Sequence, residues 1–160
     1  MKNKLKEIQK WLNYIGEAKL PDYEKLPDVS LYMDQVVTYV KDALEPFTLE
    51  EQTSITNFMI NNYVKAKIID APKNKRYEKK QIAYIISICL LKQVTSMGNL
   101  QTLLDKDNST VKEEDLYTFF KSCEDETLEN VLHKTKMRVD AVEKKYKSDL
   151  SKAVENKNIK

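Results

Sequence analysis

Asn57, Asn61 and Asn62 fall within six residues, with Phe58 beside the first, and Lys65 and Lys67 follow at once. A carboxamide donates and accepts together, which is what the N6/N7 edge of adenine requires. The next turn adds Lys73, Lys75, Arg76 and Lys79. Cations at this density suit phosphate, where they position a protein on duplex DNA without reading its sequence. Asparagine is a poor helix former, so three on one short helix need a reason beyond helix stability. The plainer account is a solvated helix side followed by a lysine-rich loop.

The charge map sharpens the contrast. Residues 1–64 carry 7 basic and 10 acidic groups, and residues 65–93 carry 8 and 2. Residues 94–120 carry 2 and 5, and residues 121–160 carry 10 and 8, so a net charge of +2 hides one basic segment between acidic ones. That segment is the electrostatic footprint expected of phosphate contact.

Other chemistry is poorly provided for. Gly16 and Gly98 are the only glycines, too few for a glycine-rich phosphate loop. With Cys89, Cys123 and a lone His133, no Cys/His zinc site can be assembled. The two cysteines read as buried free thiols of a reducing cytoplasm. His133 lies on a highly charged segment and reads as an exposed side chain rather than a general base. Glu113, Glu114 and Asp115 suit the positive end of a helix dipole. Asp105 and Asp107 lack the spacing of a calcium loop. We therefore expect a non-enzymatic protein without cofactor or metal. The N-terminus has no apolar signal region, and the longest apolar run, Ile82–Leu91, is shorter than the ~18 residues of a membrane span. The expectation is a cytoplasmic protein with no membrane partner.

The elements that must position these residues are mostly helical, since 160 residues with 41% hydrophobic content, 2 Gly and 4 Pro do not suit a β-sandwich. Leu5, Ile8, Leu12 and Ile15 predict a helix over about 2–15, ended by Gly16. Asp28 or Ser30 is placed to cap a second helix with Leu31, Val36, Val37, Val40 and Leu44. Residues 50–53 read as a turn or helical lead-in. A third helix, about 54–67, puts Met59, Ile60, Tyr63 and Val64 on the core side and the asparagines opposite. Ile68-Ile69 and Arg76-Tyr77 around a Pro/Asn turn predict a small β-hairpin. A buried helix runs from Glu78 to about Thr95. Ser96 caps a short one with Leu100, Leu103 and Leu104, and residues 105–109 form a loop. Thr110 and Glu113 suggest a capping box for a helix through Cys123. A last, charged helix covers about 127–154.

Several of these residues carry a resemblance. Met59-Ile60-Asn61-Asn62-Tyr63-Val64-Lys65, Ile68-Ile69, Pro72 and Lys75-Arg76-Tyr77, with the Ile/Leu-rich helix ending Leu91-Lys92, resemble the N-terminal domain of MerR-type regulators. In that match Ile60 stands for the family's Leu, Tyr63 for its second Tyr, Pro72 for its Pro, Lys75 for the wing Arg and Tyr77 for the last wing Tyr. Asn61 replaces the phosphate-contacting Arg, Asn62 the first Tyr, and Lys67 a Gly. About residues 20–135, including Leu26-Pro27-Asp28 and Leu31–Val36, are also similar to an uncharacterised bacterial family of unknown function.

The resemblance implies a mainly α fold: a MerR-like winged helix-turn-helix with a small β-hairpin wing, an N-terminal helix and a C-terminal helical arm. The corresponding division is an N-terminal helix over 1–20, the winged domain over 21–106 and a helical region over 107–160. It implies a transcription regulator that binds double-stranded DNA through Asn57, Phe58, Asn61, Asn62, Lys65, Lys67, Lys73, Lys75, Arg76 and Lys79. The alternative is a protein-interaction module on the same frame, with Phe58 as an apolar anchor in a polar rim. By analogy the C-terminal helix pairs two copies through Val139, Val142, Tyr146 and Leu150; otherwise it folds back over its own chain, capped by the first helix.

Overall fold

The computed structural model describes residues 2–47, 55–104 and 111–157. Its order is α1 (Lys2–Gly16), β1 (Leu31–Tyr32), α2 (Met33–Leu44), α3 (Asn57–Lys65), β2 (Arg76–Tyr77), α4 (Lys79–Leu91), α5 (Met97–Leu103) and α6 (Glu113–Lys157), with 3-10 turns at Tyr23–Lys25 and Glu45–Phe47. The protein is mainly helical, with one small antiparallel sheet. It divides into two compact units, residues 19–123 and residues 1–18 with 124–160.

The larger unit is built around α4. Every residue from Gln81 to Ile88 is buried, as an almost uniformly apolar helix must be. The one polar side chain facing inward early in this run, Gln81, is fully used. Its Oε1 accepts from the Glu78 backbone N–H at 2.7 Å, capping the helix, and its Nε2 donates to the Asp70 carbonyl at 2.8 Å. Burial without such partners would cost about 1–3 kcal/mol per group. Val36, Val40 and Leu44 of α2, Ile60 and Tyr63 of α3, and Leu100 of α5 complete the same core.

The strands correct one expectation. β2 pairs with β1, Leu31 opposite Tyr77 and Tyr32 opposite Arg76, and Ile68-Ile69 takes no part in the sheet. Both isoleucines are buried, whereas a strand on a solvated edge buries only alternate residues. Leu31-Tyr32 thus belongs to a strand, and α2 starts at Met33 with Tyr32 as its N-cap, not Asp28 or Ser30. The Tyr32 N–H is satisfied by Gln35 Oε1 at 3.0 Å. The chain reaches β2 through a tight turn in which the Arg76 N–H donates to the Lys73 carbonyl at 2.9 Å. Asn74 and Lys75 have φ of 50° and 62°, the positive pair of a type I′ turn.

Helix ends differ from expectation elsewhere too. α3 is shorter, starting at Asn57 behind Thr56, whose side chain accepts from the Met59 N–H at 3.3 Å. α4 ends at Leu91 rather than near Thr95. The Ser96 cap is present, its Oγ accepting from the Asn99 N–H at 3.2 Å. The expected turn at 50–53, the start of α3 at Ser54, the loop at 105–109 and the Thr110 cap lie outside the described residues. The two expected C-terminal helices are one, α6, unbroken through Glu124–Glu126 because that stretch holds no Gly or Pro.

The smaller unit is an antiparallel pair, α1 against the later part of α6. Gln9 Nε2 donates to Glu143 Oε2 at 3.4 Å, and a Cβ on Gly16 would stand 3.6 Å from Leu132 Cδ1. Leu128, Leu132, Thr135, Val139, Glu143 and Tyr146 are the shielded positions of this part of α6, steps of 3 and 4 that mark a coiled-coil seam. Of the expected dimer seam, Val139 and Tyr146 are therefore half-buried in the chain's own helix pair, while Val142 and Leu150 are exposed. Residues advance about 100° per position, and in an antiparallel pair, positions displaced to the same side of both seams share an edge. Gln9 and Glu143 are half-buried seam positions, and Gly16 with Lys136 lies to one side of the seam. Ile8, Trp11, Val131 and Val142 lie to the other side on both helices and are exposed.

Candidate nucleic-acid interface

The exposed side of α3 is set by its other side. Ile60 and Tyr63 are in the core and Met59 and Val64 are half-buried against it, so Phe58, Asn61 and Lys65 must face out. Phe58 is 71% exposed, high for a residue of its size. Asn62 is half-buried at the margin of that face.

Asn57 has a structural duty. Its Nδ2 donates to Asp34 Oδ1 at 2.8 Å, tying the first turn of α3 to the first turn of α2. This explains one of the three asparagines without invoking a ligand. Helices α2 and α3 do pack together, but residues 45–56 separate them, a longer connection than the 3–4-residue turn of the compact motif.

Lys67 follows α3 with φ of 57°, a left-handed position that favours glycine. There it reverses the chain, and the Ile68 N–H returns to the Tyr63 carbonyl at 3.1 Å. Lys67 thus occupies a conformation that glycine would adopt without steric cost. Gln101 of α5 secures the same end, donating from Nε2 to the Ala66 carbonyl at 2.9 Å.

Lys75 on the turn and Arg76 at the start of β2 are exposed. Arg76 lies opposite Tyr32 in the sheet, its Cζ 4.5 Å from the ring centroid and its Nη2 donating to Tyr32 Oη at 2.9 Å. Tyr32 therefore orients the guanidinium, a role invisible in a sequence that places it on a helix. Lys73 Nζ lies 3.4 Å from Glu78 Oε1 but its side chain is mostly exposed, so that contact is weak. Lys65, Lys67 and Lys75 make no ion pair among the described residues.

Lys79 is differently placed. Its Nζ pairs with Asp28 Oδ1 at 2.7 Å, donates to the Glu24 carbonyl at 3.3 Å and sits 5.3 Å from the Tyr23 ring centroid. The hydrogen bond to Asp28 raises its pKa above the ordinary lysine value. This cation holds the 22–28 loop, and the structure does not bring it to the turn of Lys73–Arg76.

The thiols separate as well. Cys89 is largely buried, which pushes its pKa up to about 12, whereas Cys123 is exposed, contrary to the expectation of two buried thiols. No cluster of three or more His, Cys, Asp or Glu suited to a metal occurs among the described residues. No helix among them is long and apolar enough to cross a membrane.

The larger unit is thus a mainly helical domain whose two-stranded sheet and third helix carry an exposed basic and polar surface. The chain belongs to the family of domains of unknown function DUF1836, whose model matches residues 21–125. No curated protein and no solved structure matches the chain.

Proposed function

We propose that the domain is a MerR-like winged helix-turn-helix and binds duplex DNA as a non-enzymatic transcription regulator of the cytoplasm. In this reading α3 enters the major groove and the turn Lys73–Arg76 lies on phosphate as the wing. The observation that carries it is the exposure of Asn61, Lys65, Lys67, Lys75 and Arg76 on α3 and the two turns that follow it. Lys67, Lys73 and Lys75 supply phosphate contact, Tyr32 presets Arg76, and Asn61 is the base-reading amide.

Fluorescence anisotropy on random duplex tests the claim. Affinity is expected to fall steeply as salt rises, and the double variant Lys73→Ala with Lys75→Ala should flatten the log–log slope by about 2. On a selected site Asn61→Ala should cost about 1–3 kcal/mol while sparing random duplex. Absence of binding to any duplex at low salt would overturn the proposal.

The second reading, a protein-docking surface, is favoured by one observation, the exposure of Phe58 beside Asn61. Phe58→Ser separates the two: a DNA reader retains its random-duplex affinity, whereas an anchor residue accounts for most of a protein contact.

We propose also that two copies pair along the apolar edge of Ile8, Trp11, Val131 and Val142, giving a four-helix arrangement with two-fold symmetry. Light scattering on the purified chain should report a dimer. Trp11→Glu with Val142→Glu should convert it to a folded monomer, and a monomeric wild type at tens of micromolar would refute the pairing.

A further inference from the structure

A cavity of about 180 Å³ opens in the larger unit, between α4, α5 and the start of α6. An engineered apolar cavity of about 150 Å³ holds benzene, so this one has room for a monocyclic aromatic with a short side arm. Tyr84 and Ser87 come from α4, Leu103 from α5, and Glu113, Phe119 and Phe120 from α6. Leu103 and Phe119 are more than half exposed, so apolar surface remains open to water at the rim. The Ser87 hydroxyl already donates to the Ala83 carbonyl at 3.1 Å.

Among the described residues that line the space, Glu113 is the one charged side chain and none is Lys or Arg. Tyr84 lies with it. Burial first, then the charges of Glu113 and Asp70, raise the Tyr84 phenol above its ordinary pKa. A low-dielectric wall strengthens the attraction of that carboxylate for a cation and penalises any anion. We propose that this cavity is a binding site for a small aromatic amine, the ring against Leu103, Phe119 and Phe120 and the ammonium on Glu113. Ligand chemistry follows from charge and volume here, and the claim is independent of whether the protein binds DNA.

Three isosteres test it on the full chain by calorimetry: 2-phenylethylamine, 2-phenylethanol and 3-phenylpropionate. The amine is expected to bind at least about tenfold tighter than the alcohol, a difference of about 1.4 kcal/mol, and the carboxylate weakest of all. Glu113→Gln should bring the amine down to the level of the alcohol. Leu103→Trp, at an exposed rim position that the fold tolerates, should weaken both by filling the opening. Cys123 is exposed and also lines the cavity, whereas burial pushes the pKa of the Cys89 thiol up to about 12, so bound amine should slow the alkylation of Cys123 by iodoacetamide. Equal binding of the three compounds, no binding of any, or an unchanged amine affinity in Glu113→Gln would overturn the proposal. So would a change of oligomeric state in Leu103→Trp, which would make the opening an interface between copies.

Discussion

The two compact units solve the problem of burying a helix in opposite ways. In residues 19–123, α4 is enclosed by α2, α3, α5 and the start of α6, and one cluster from Leu20 to Tyr117 holds the core. In the smaller unit a pair of helices shields little beyond one seam, where Leu12 and Leu132 are buried and Ile8, Trp11, Val131 and Val142 are not. Two helices have too little mutual surface to hide an apolar stripe wider than their contact line. The family match covers residues 21–125, nearly the span of the enclosed unit. The unit with a complete core carries the exposed basic and polar surface, and the open one leaves apolar side chains exposed.

That contrast can be broken by mutation. Ile85, fully buried in α4, should cost about 2–5 kcal/mol as Ile85→Ala, because the enclosed site has no room to collapse around the void. Chemical denaturation followed by tyrosine fluorescence and circular dichroism would measure it; a loss below 1 kcal/mol would mean the core is looser than described. Leu12→Ala should cost less, about 2 kcal/mol, and act locally, since the helix pair relaxes into solvent. Hydrogen exchange should show protection lost over residues 2–16 while the amides of α4 stay protected. Loss of both together would mean that the two units unfold as one.

Smaller effects sharpen the comparison within the larger unit. Lys67 holds a positive φ at some cost, so Lys67→Gly should leave stability unchanged or raise it by up to about 1 kcal/mol. The same change should weaken random-duplex binding, so the two readouts move in opposite directions. A large destabilisation would show that the lysine side chain, not the backbone, matters at this turn. The smallest effect concerns Asp22. Its hydrogen bonds to Lys25 and then to Lys121 lower its pKa below the ordinary aspartate value. A depressed pKa in the folded state contributes stability above the unfolded value, lost as pH falls through the folded one. Asp22→Asn should therefore slightly reduce stability at neutral pH and make no difference once the carboxylate is protonated. Because the group is exposed, the change stays near the limit of detection. A clear gain in stability at neutral pH would contradict it.

The legible parts of the fold were those governed by local pattern. The wide apolar surface of α4 predicted a central helix, and the Ile60/Tyr63 stripe predicted which side of α3 faces solvent. The Ser96 cap needed only its own three following residues. The candidate surface was legible to the same degree: Asn61, Lys65 and Lys75 are exposed as periodicity and turn chemistry require. What escaped was non-local. Leu31-Tyr32 looks like the start of an apolar helix, and nothing nearby announces that its strand partner lies at Arg76-Tyr77. The Asn57–Asp34 and Lys79–Asp28 contacts join residues 23 and 51 positions apart, which no local pattern announces.

Residue order alone marked where the helical segments lie, though not their ends, together with the outward side of α3 and the placing of positive charge after it, because periodicity and composition act over a few residues. Tertiary structure alone decided which cations remain available, which residue orients Arg76, and that a cavity lined in part by Glu113 opens beside α4. Those outcomes depend on partners up to tens of positions away, and side-chain identity carries no record of which distant group will arrive within 3 Å.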